Sequence, residues 1–220
     1  MKDTILLFDL DGTLWDSADS VAESWTEKLR MMGGDFPEVT GELIRSVMGR
    51  TMREIAAITL PDYPTEEREA LFRDCLEYEN EYIRVHGGRL MEGCRETLGE
   101  LNRRGYRLGI VSNCQTGYID AFLESMGLRD LFFATMEWGE TELPKGENIK
   151  ILMKRHNCVF DPSLATPETP KAVYIGDTQS DCDAADLAGI PFIHASYGFG
   201  TPTHADASLR TMADLLRLFP

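Results

Sequence analysis

The segment Ile5-Leu6-Leu7-Phe8-Asp9-Leu10-Asp11-Gly12-Thr13 carries two carboxylates, two positions apart, off the end of an apolar run and into a glycine turn. Side chains two apart in a strand point the same way, so Asp9 and Asp11 leave it as neighbours unless the turn rotates them apart. Adjacent anions repel, and a cation or a proton relieves the repulsion. The economical reading is a hard divalent cation with oxygen ligands, most simply magnesium, at the carboxyl end of a sheet strand. A plain Asp-Gly turn is the competing reading, because both residue types favour turns.

Three later segments place further chemistry at strand ends. Ser112 and Asn113 follow Leu108-Gly109-Ile110-Val111 and could donate to a phosphoryl oxygen, or simply cap the next helix. Lys145, in Leu143-Pro144-Lys145-Gly146, stands at the start of a helical run, with Lys150 and Lys154 as nearby competitors. The run Ala172-Val173-Tyr174-Ile175-Gly176 ends on Asp177, which could complete an oxygen-ligated metal site. Asp181 is placed to orient a ligand, a water or the lysine. Asp183 and Asp186 read as acids that suit a helix N-terminus.

These residues need a scaffold that lines up strand ends. Apolar runs at 4–9, 106–111, 172–175 and 190–194 alternate with helical patterns at 93–104, 116–126 and 179–188, the last three closed by Gly105, Gly127 and Gly189. That alternation predicts an α/β fold, a mainly parallel sheet with helices on both faces. Residues 16–88 differ: they are helical, strongly charged and broken at Gly33-Gly34, Pro37, Gly49 and Pro61 to Pro64, which reads as an inserted helical module. Within it, 65–85 carries Leu71, Cys75, Leu76, Tyr78, Tyr82 and Ile83, a stripe read as bundle core. Residues 161–170 read as a loop, and 211–219 as a last helix on the sheet edge.

The 220 residues suffice for one core with an accessory module. With 22 basic against 37 acidic residues the formal charge is -15, which disfavours nucleic acid and anionic lipid as partners. An anionic substrate therefore needs a local cationic pocket. Five scattered cysteines without metal spacing predict reduced thiols in a cytoplasm, and the N-terminal apolar run is too short for a signal peptide or a membrane span.

Taken in order, Asp9-Leu10-Asp11-Gly12-Thr13, Ser112-Asn113, Lys145 and Gly176-Asp177 with Asp181 resemble the four motifs of haloacid dehalogenase-superfamily hydrolases. The subgroup it resembles has a helical C1-type cap and is similar to phosphoglycolate phosphatases and β-phosphoglucomutases. The resemblance implies a Rossmann-like core over 1–15 and 89–220 and a cap over 16–88. It further implies that Asp9 is the nucleophile of an aspartyl-phosphate mechanism and that Asp11 is the general acid and base. Ser112, Asn113 and Lys145 would hold the phosphoryl group, and Asp9, Asp177 and the Asp11 carbonyl would hold Mg2+. Thr13 would bond the turn and steady Asp9. Arg50, in Gly49-Arg50-Thr51, is the cap candidate for substrate contact.

The family lysine is commonly followed by proline, whereas here Pro144 precedes Lys145 and Gly146 follows. The acid at Asp11 favours a phosphate monoester, a small phosphorylated metabolite, over an organohalide. A phosphomutase is the alternative within the family; a phosphoacceptor signalling domain or an idle regulatory relative is the alternative outside it. The sequence leaves open the substrate and the choice between monomer and homodimer.

Overall fold

The computed structural model describes residues 4–33, 36, 38–156 and 172–220. Cys158 and the expected loop at 161–170 lie outside the described residues.

β1 (Ile5–Phe8) is buried along its whole length. Its alternation serves two cores, with Leu6 and Phe8 in one and Ile5 and Leu7 in the other. After the turn that follows, β2 (Trp15–Asp16) leads into four helices: α1 (Ala18–Met32), α2 (Gly41–Val47), α3 (Met52–Thr59) and α4 (Thr65–His86). The chain returns through β3 (Arg89–Leu90), which pairs antiparallel with β2. The two crossings are fastened by Asp16, a buried carboxylate that accepts from Arg45 at 3.0 Å and Arg89 at 3.2 Å.

The rest alternates helix and strand: α5 (Cys94–Arg103), β4 (Arg107–Ser112), α6 (Tyr118–Met126), β5 (Phe132–Glu137), α7 (Trp138–Thr141) and α8 (Lys145–Arg155). After the undescribed stretch come β6 (Ala172–Gly176), α9 (Gln179–Ala188), β7 (Phe192–Ala195), β8 (Ala207–Leu209) and α10 (Leu215–Leu218). The six-stranded sheet runs β5-β4-β1-β6-β7-β8, every neighbour parallel. Helices α8 and α9 cover the face of Ile5 and Leu7 through Ile149, Leu152, Cys182 and Ala185. Helices α5 and α6 cover the other through Leu98, Leu101, Ile119 and Phe122. The α/β class and the helices on both faces are as the apolar runs predict.

Several details differ from the sequence reading. β5 and β8 went unrecognised: β5 is half-buried over most of its length and lacks a continuous apolar run, and β8 is three residues long. The last segment is not one helix but a 3-10 turn, Met212–Asp214, followed by α10. The inward face of α4 is Phe72, Cys75, Glu79 and Ile83, whereas Tyr78 and Tyr82 are only half-buried. An acid thus occupies a position that an apolar stripe would give to a hydrophobe.

Helix α1 meets α4 with Val21, Ala22, Trp25 and Leu29 on its buried face. Trp25 packs edge-on against Phe72, ring centroids 5.1 Å apart, and its indole N–H donates to Glu79. Burial pushes the Glu79 carboxyl up to about 8, although bonds from Gln115 and Trp25 favour its ionised form. An acid with a raised folded pKa favours the protonated, low-pH fold. Its stabilising contribution is full below the ordinary value near 4.5 and is lost as pH rises through about 8. Glu79→Gln cannot ionise, so the melting temperature of the wild type should fall relative to this variant between pH 5 and pH 9. An offset that stays constant across that range would show that the Glu79 titration is not linked to folding.

Candidate active site

Asp9 and Asp177 stand one residue beyond the ends of the paired strands β1 and β6, whose register matches Phe8 to Ile175. Ser112 closes β4 on the other side of β1. Three neighbouring parallel strands therefore deliver their polar ends to one edge, the place where open α/β sheets form their crevices.

Lys145 is the first residue of α8 and is buried, at 4% exposure, despite its charge. Its ammonium donates to Asp9 Oδ1 at 2.8 Å and to Asp181 Oδ1 at 2.6 Å. Burial alone would lower its pKa, but Asp181 and Asp9 more than offset that and hold it well above the ordinary value. The competitors point elsewhere: Lys150 pairs with Glu147 at the surface, and Lys154 is exposed. Lys145 can enter this deeply because α8 lies tight against α9 at Gly146, where a Cβ would come within 2.8 Å of the Ala184 carbonyl. Glycine after the lysine thus permits the close helix packing.

Asp181 orients the lysine and is itself fully engaged. Its Oδ2 accepts from the backbone N–H groups of Asp177 at 3.2 Å and Thr178 at 2.9 Å and from the Thr178 hydroxyl at 2.7 Å. It thereby caps α9 in a reciprocal box with Thr178. Asp177 accepts from Phe199 N–H at 2.7 Å and from the Thr13 hydroxyl at 3.2 Å. This corrects the expectation for Thr13, whose hydroxyl is directed across the turn to Asp177 and not to Asp9. The turn between them needs glycine: Gly12 has φ +84°, and a Cβ there would stand 2.7 Å from Asp177 Cγ.

The turn does rotate the first two carboxylates apart. Asp11 is not paired with Lys145 but accepts from Ser17 Oγ at 2.6 Å and Tyr118 Oη at 3.0 Å. Burial raises its pKa to about 6, while these hydroxyl bonds restrain the rise. Ser17 and Tyr118 were missed in the sequence. Ser17 stands at the N-cap of α1 but spends its hydroxyl on Asp11 instead of the helix, and the pairing with Tyr118 joins residues 101 apart in the chain. The Tyr118 end of α6 is fixed by Glu137, which accepts from Gly117 N–H at 2.5 Å and Ile119 N–H at 3.3 Å.

Asp9, Asp177 and Asp181 bring oxygen atoms within 4.8 Å of one another, all three buried. One lysine faces three carboxylates, so the pocket carries excess negative charge. Burial first, and then Asp181, push the Asp9 pKa well up and that of Asp177 to about 7. A hard, oxygen-ligated cation fits this donor set. Asp181 has both oxygens committed, whereas Asp9 Oδ2 carries no hydrogen bond among the described residues. Asp9 and Asp177 are therefore the side chains suited to hold it.

A single cavity joins this centre to the helices of 16–88. Asp9, Asp11, Ser112, Asn113 and Lys145 line one side; Arg50, Glu79 and a set of apolar residues line the other. Asn113 donates to Ser180 at 3.3 Å and also faces a second groove, between Thr51-Met52 and Pro144-Gly146, that reaches Lys145 from outside. Arg50 is exposed. Glu79 and its partner Gln115 also escaped the sequence reading, since a Glu within a charged helix gives no sign of burial.

The model of the haloacid dehalogenase-like hydrolases matches residues 6–195. Phosphoglycolate phosphatase of Pseudomonas putida is 26% identical over 227 residues, covering 98% of this chain and 78% of that protein. Phosphoglycolate phosphatase of Yersinia pestis is 26% identical, covering 95% of this chain and 90% of its own length. The structure of a predicted phosphoglycolate phosphatase from Haemophilus somnus 129PT superposes with a TM-score of 0.82 at 23% identity, covering all of both chains. That of a putative haloacid dehalogenase-like hydrolase from Bacteroides fragilis gives 0.77 at 25% identity, covering 97% of this chain and 100% of its own. A match over nearly the whole sheet and all four strand-end segments makes this chain a member of the haloacid dehalogenase-like hydrolases.

Proposed function

We propose that this hydrolase is a magnesium-dependent phosphatase that cleaves a small phosphate monoester through an aspartyl-phosphate on Asp9. The observation that carries the reading is the division of labour between two carboxylates in one cavity. Asp9 is paired with a lysine, and Asp11, hydrogen-bonded to two hydroxyls, has a pKa raised to about 6. Burial raises both pKa values, so it is the Lys145 ammonium, together with a bound cation, that favours the ionised form a nucleophile needs at Asp9, while Asp11, in no ion pair among the described residues, is the one suited to carry a proton. The relatives named phosphoglycolate phosphatase support the same class.

In this mechanism the Asp9 carboxylate attacks phosphorus in line with the leaving alkoxide, while Asp11 gives the alkoxide a proton. Asp11 then takes a proton from the water that cleaves the acyl phosphate. Lys145, Ser112 and Asn113 hold the phosphoryl oxygens as charge redistributes. Mg2+, held by Asp9, Asp177 and the Asp11 carbonyl, would offset the repulsion between the attacking carboxylate and the phosphate. Thr13 and Asp181 keep Asp177 and Lys145 in place. Residues 1–15 and 89–220 act as the catalytic core and 16–88 as a cap that excludes bulk water, with Arg50 meeting substrate at the cavity mouth. The β2–β3 pair is the natural pivot between them.

The partner is a small phosphorylated metabolite; among the described residues no helix is long and apolar enough to cross a membrane. Cys75, Cys94, Cys114 and Cys182 are buried and unpaired, which suits a reducing cytoplasm. The protein would act as a monomer or a homodimer.

Asp9→Asn should lower phosphate release by at least about a thousandfold while the protein still folds, since the exchange is nearly isosteric and removes the nucleophile. Near-wild-type turnover in that variant would reject the mechanism. Chelation by EDTA should stop turnover and magnesium should restore it, whereas calcium, larger and less strict in geometry, should restore it poorly. Full activity in metal-free enzyme would refute the metal assignment. Asp11→Asn should cost about 10²- to 10⁴-fold in kcat/KM for an alkyl phosphate but far less for p-nitrophenyl phosphate, whose leaving group needs no proton. Equal losses on both would remove the acid role.

A further inference from the structure

The cap side of the cavity differs from the core side in kind. Trp25, Val47, Met48, Ile55 and Leu76 give it an apolar wall, and one buried acid, Glu79, interrupts that wall. Glu79 is 3% exposed. Its Oε1 accepts from Gln115 Nε2 at 3.0 Å and its Oε2 accepts from the Trp25 indole N–H. Both oxygens thus receive N–H donors, and neither neighbour as placed takes a proton from the acid. Among the described residues no Lys, Arg or His forms an ion pair with it. A buried carboxyl left without a cation is costly to ionise, and burial accordingly pushes its pKa up to about 8.

The proposed phosphatase mechanism makes no use of Glu79, which lies on α4 and lines the same cavity as Asp9 and Asp11. On the phosphatase reading a leaving group would extend into that cavity. Of the cations lining that space, Lys145 is engaged by Asp9 and Asp181. Arg50 lies at the exposed rim, where it helps lower the Glu54 pKa behind Thr51. Inside the Arg50 rim, a leaving group that carries a carboxylate would therefore meet an apolar wall and an acid. One that carries a positive charge would meet an unpaired carboxyl already set up as an acceptor, beside an indole ring.

We propose that the substrate is the phosphate ester of an amino alcohol, with its ammonium group bound by Glu79 against the apolar cap wall. Glu79 is then a specificity residue whose counter-ion arrives with the substrate. The proposal rests on the phosphatase reading and narrows it to one charge class of leaving group. It departs from the carboxylate-bearing ester in the names of the relatives.

The test compares esters with one skeleton and three charges: 2-aminoethyl phosphate, 2-hydroxyethyl phosphate and 2-phosphoglycolate, repeated with four-carbon chains so that reach is not limiting. Wild-type kcat/KM should fall in the order ammonium, hydroxyl, carboxylate, with at least tenfold between the first and last. In Glu79→Gln the advantage of the ammonium over the hydroxyl ester should shrink to less than about threefold, mainly through KM, with hydroxyl-ester kcat little changed. The wild-type order stands as a test even if the variant does not fold. A wild type that prefers the carboxylate ester, or a variant that keeps the full ammonium preference, overturns the inference while leaving a phosphatase. No hydrolysis of any ester, p-nitrophenyl phosphate included, overturns the phosphatase reading itself and the inference with it.

Discussion

The buried ammonium of Lys145 is the interaction on which the polar edge of this sheet depends. It lies between Asp9 and Asp181 with almost no solvent contact. A buried ion without partners would cost several kcal/mol, and removing one member of such a set leaves the others uncompensated. Each partner is in turn held by backbone. Asp9 follows directly on β1, and its N–H donates to the Ile175 carbonyl at 2.8 Å. Asp181 is locked to the start of α9. The lysine can reach both because α8 begins at the mouth of the sheet and packs closely on α9 at Gly146.

The same arrangement leaves the pocket short of positive charge. Three carboxylates around one lysine make a site that is polar, buried and anionic. Asp11 escapes that crowd through the left-handed turn at Gly12, which redirects it to Ser17 and Tyr118. The outcome is two acids, two positions apart in sequence, in electrostatically different surroundings. In the proposed mechanism that separation leaves Lys145 to favour the ionised form of Asp9 and Asp11 to carry a proton.

The polar edge of the sheet was legible in the sequence because its residues sit next to strong local signals. Asp9 and Asp177 follow unbroken apolar runs, Ser112 and Asn113 do likewise, and Lys145 opens a periodic helix. What was not legible depends on long-range contact. Ser17 reads as an ordinary helix cap and Tyr118 as an ordinary core aromatic, and only the fold places both hydroxyls on Asp11. Thr13 bonds Asp177, 164 positions away, a choice no local pattern encodes. Glu79 lies among Glu77 and Glu81 in a charged helix, and its burial appears only when α1 brings Trp25 against it. β5 was missed because a half-buried edge strand lacks the apolar run that marks central parallel strands.

The central claim is that Asp9 itself carries the phosphoryl group. The most direct measurement is acid quenching of wild-type enzyme during turnover of an alkyl phosphate with magnesium, then borohydride reduction and peptide mass spectrometry. An acyl phosphate on Asp9 would be reduced to homoserine, so the account predicts homoserine at position 9 and at no other acid. Unmodified Asp9 in enzyme that is releasing phosphate, or the mark on another residue such as Asp11 or Asp177, would contradict it.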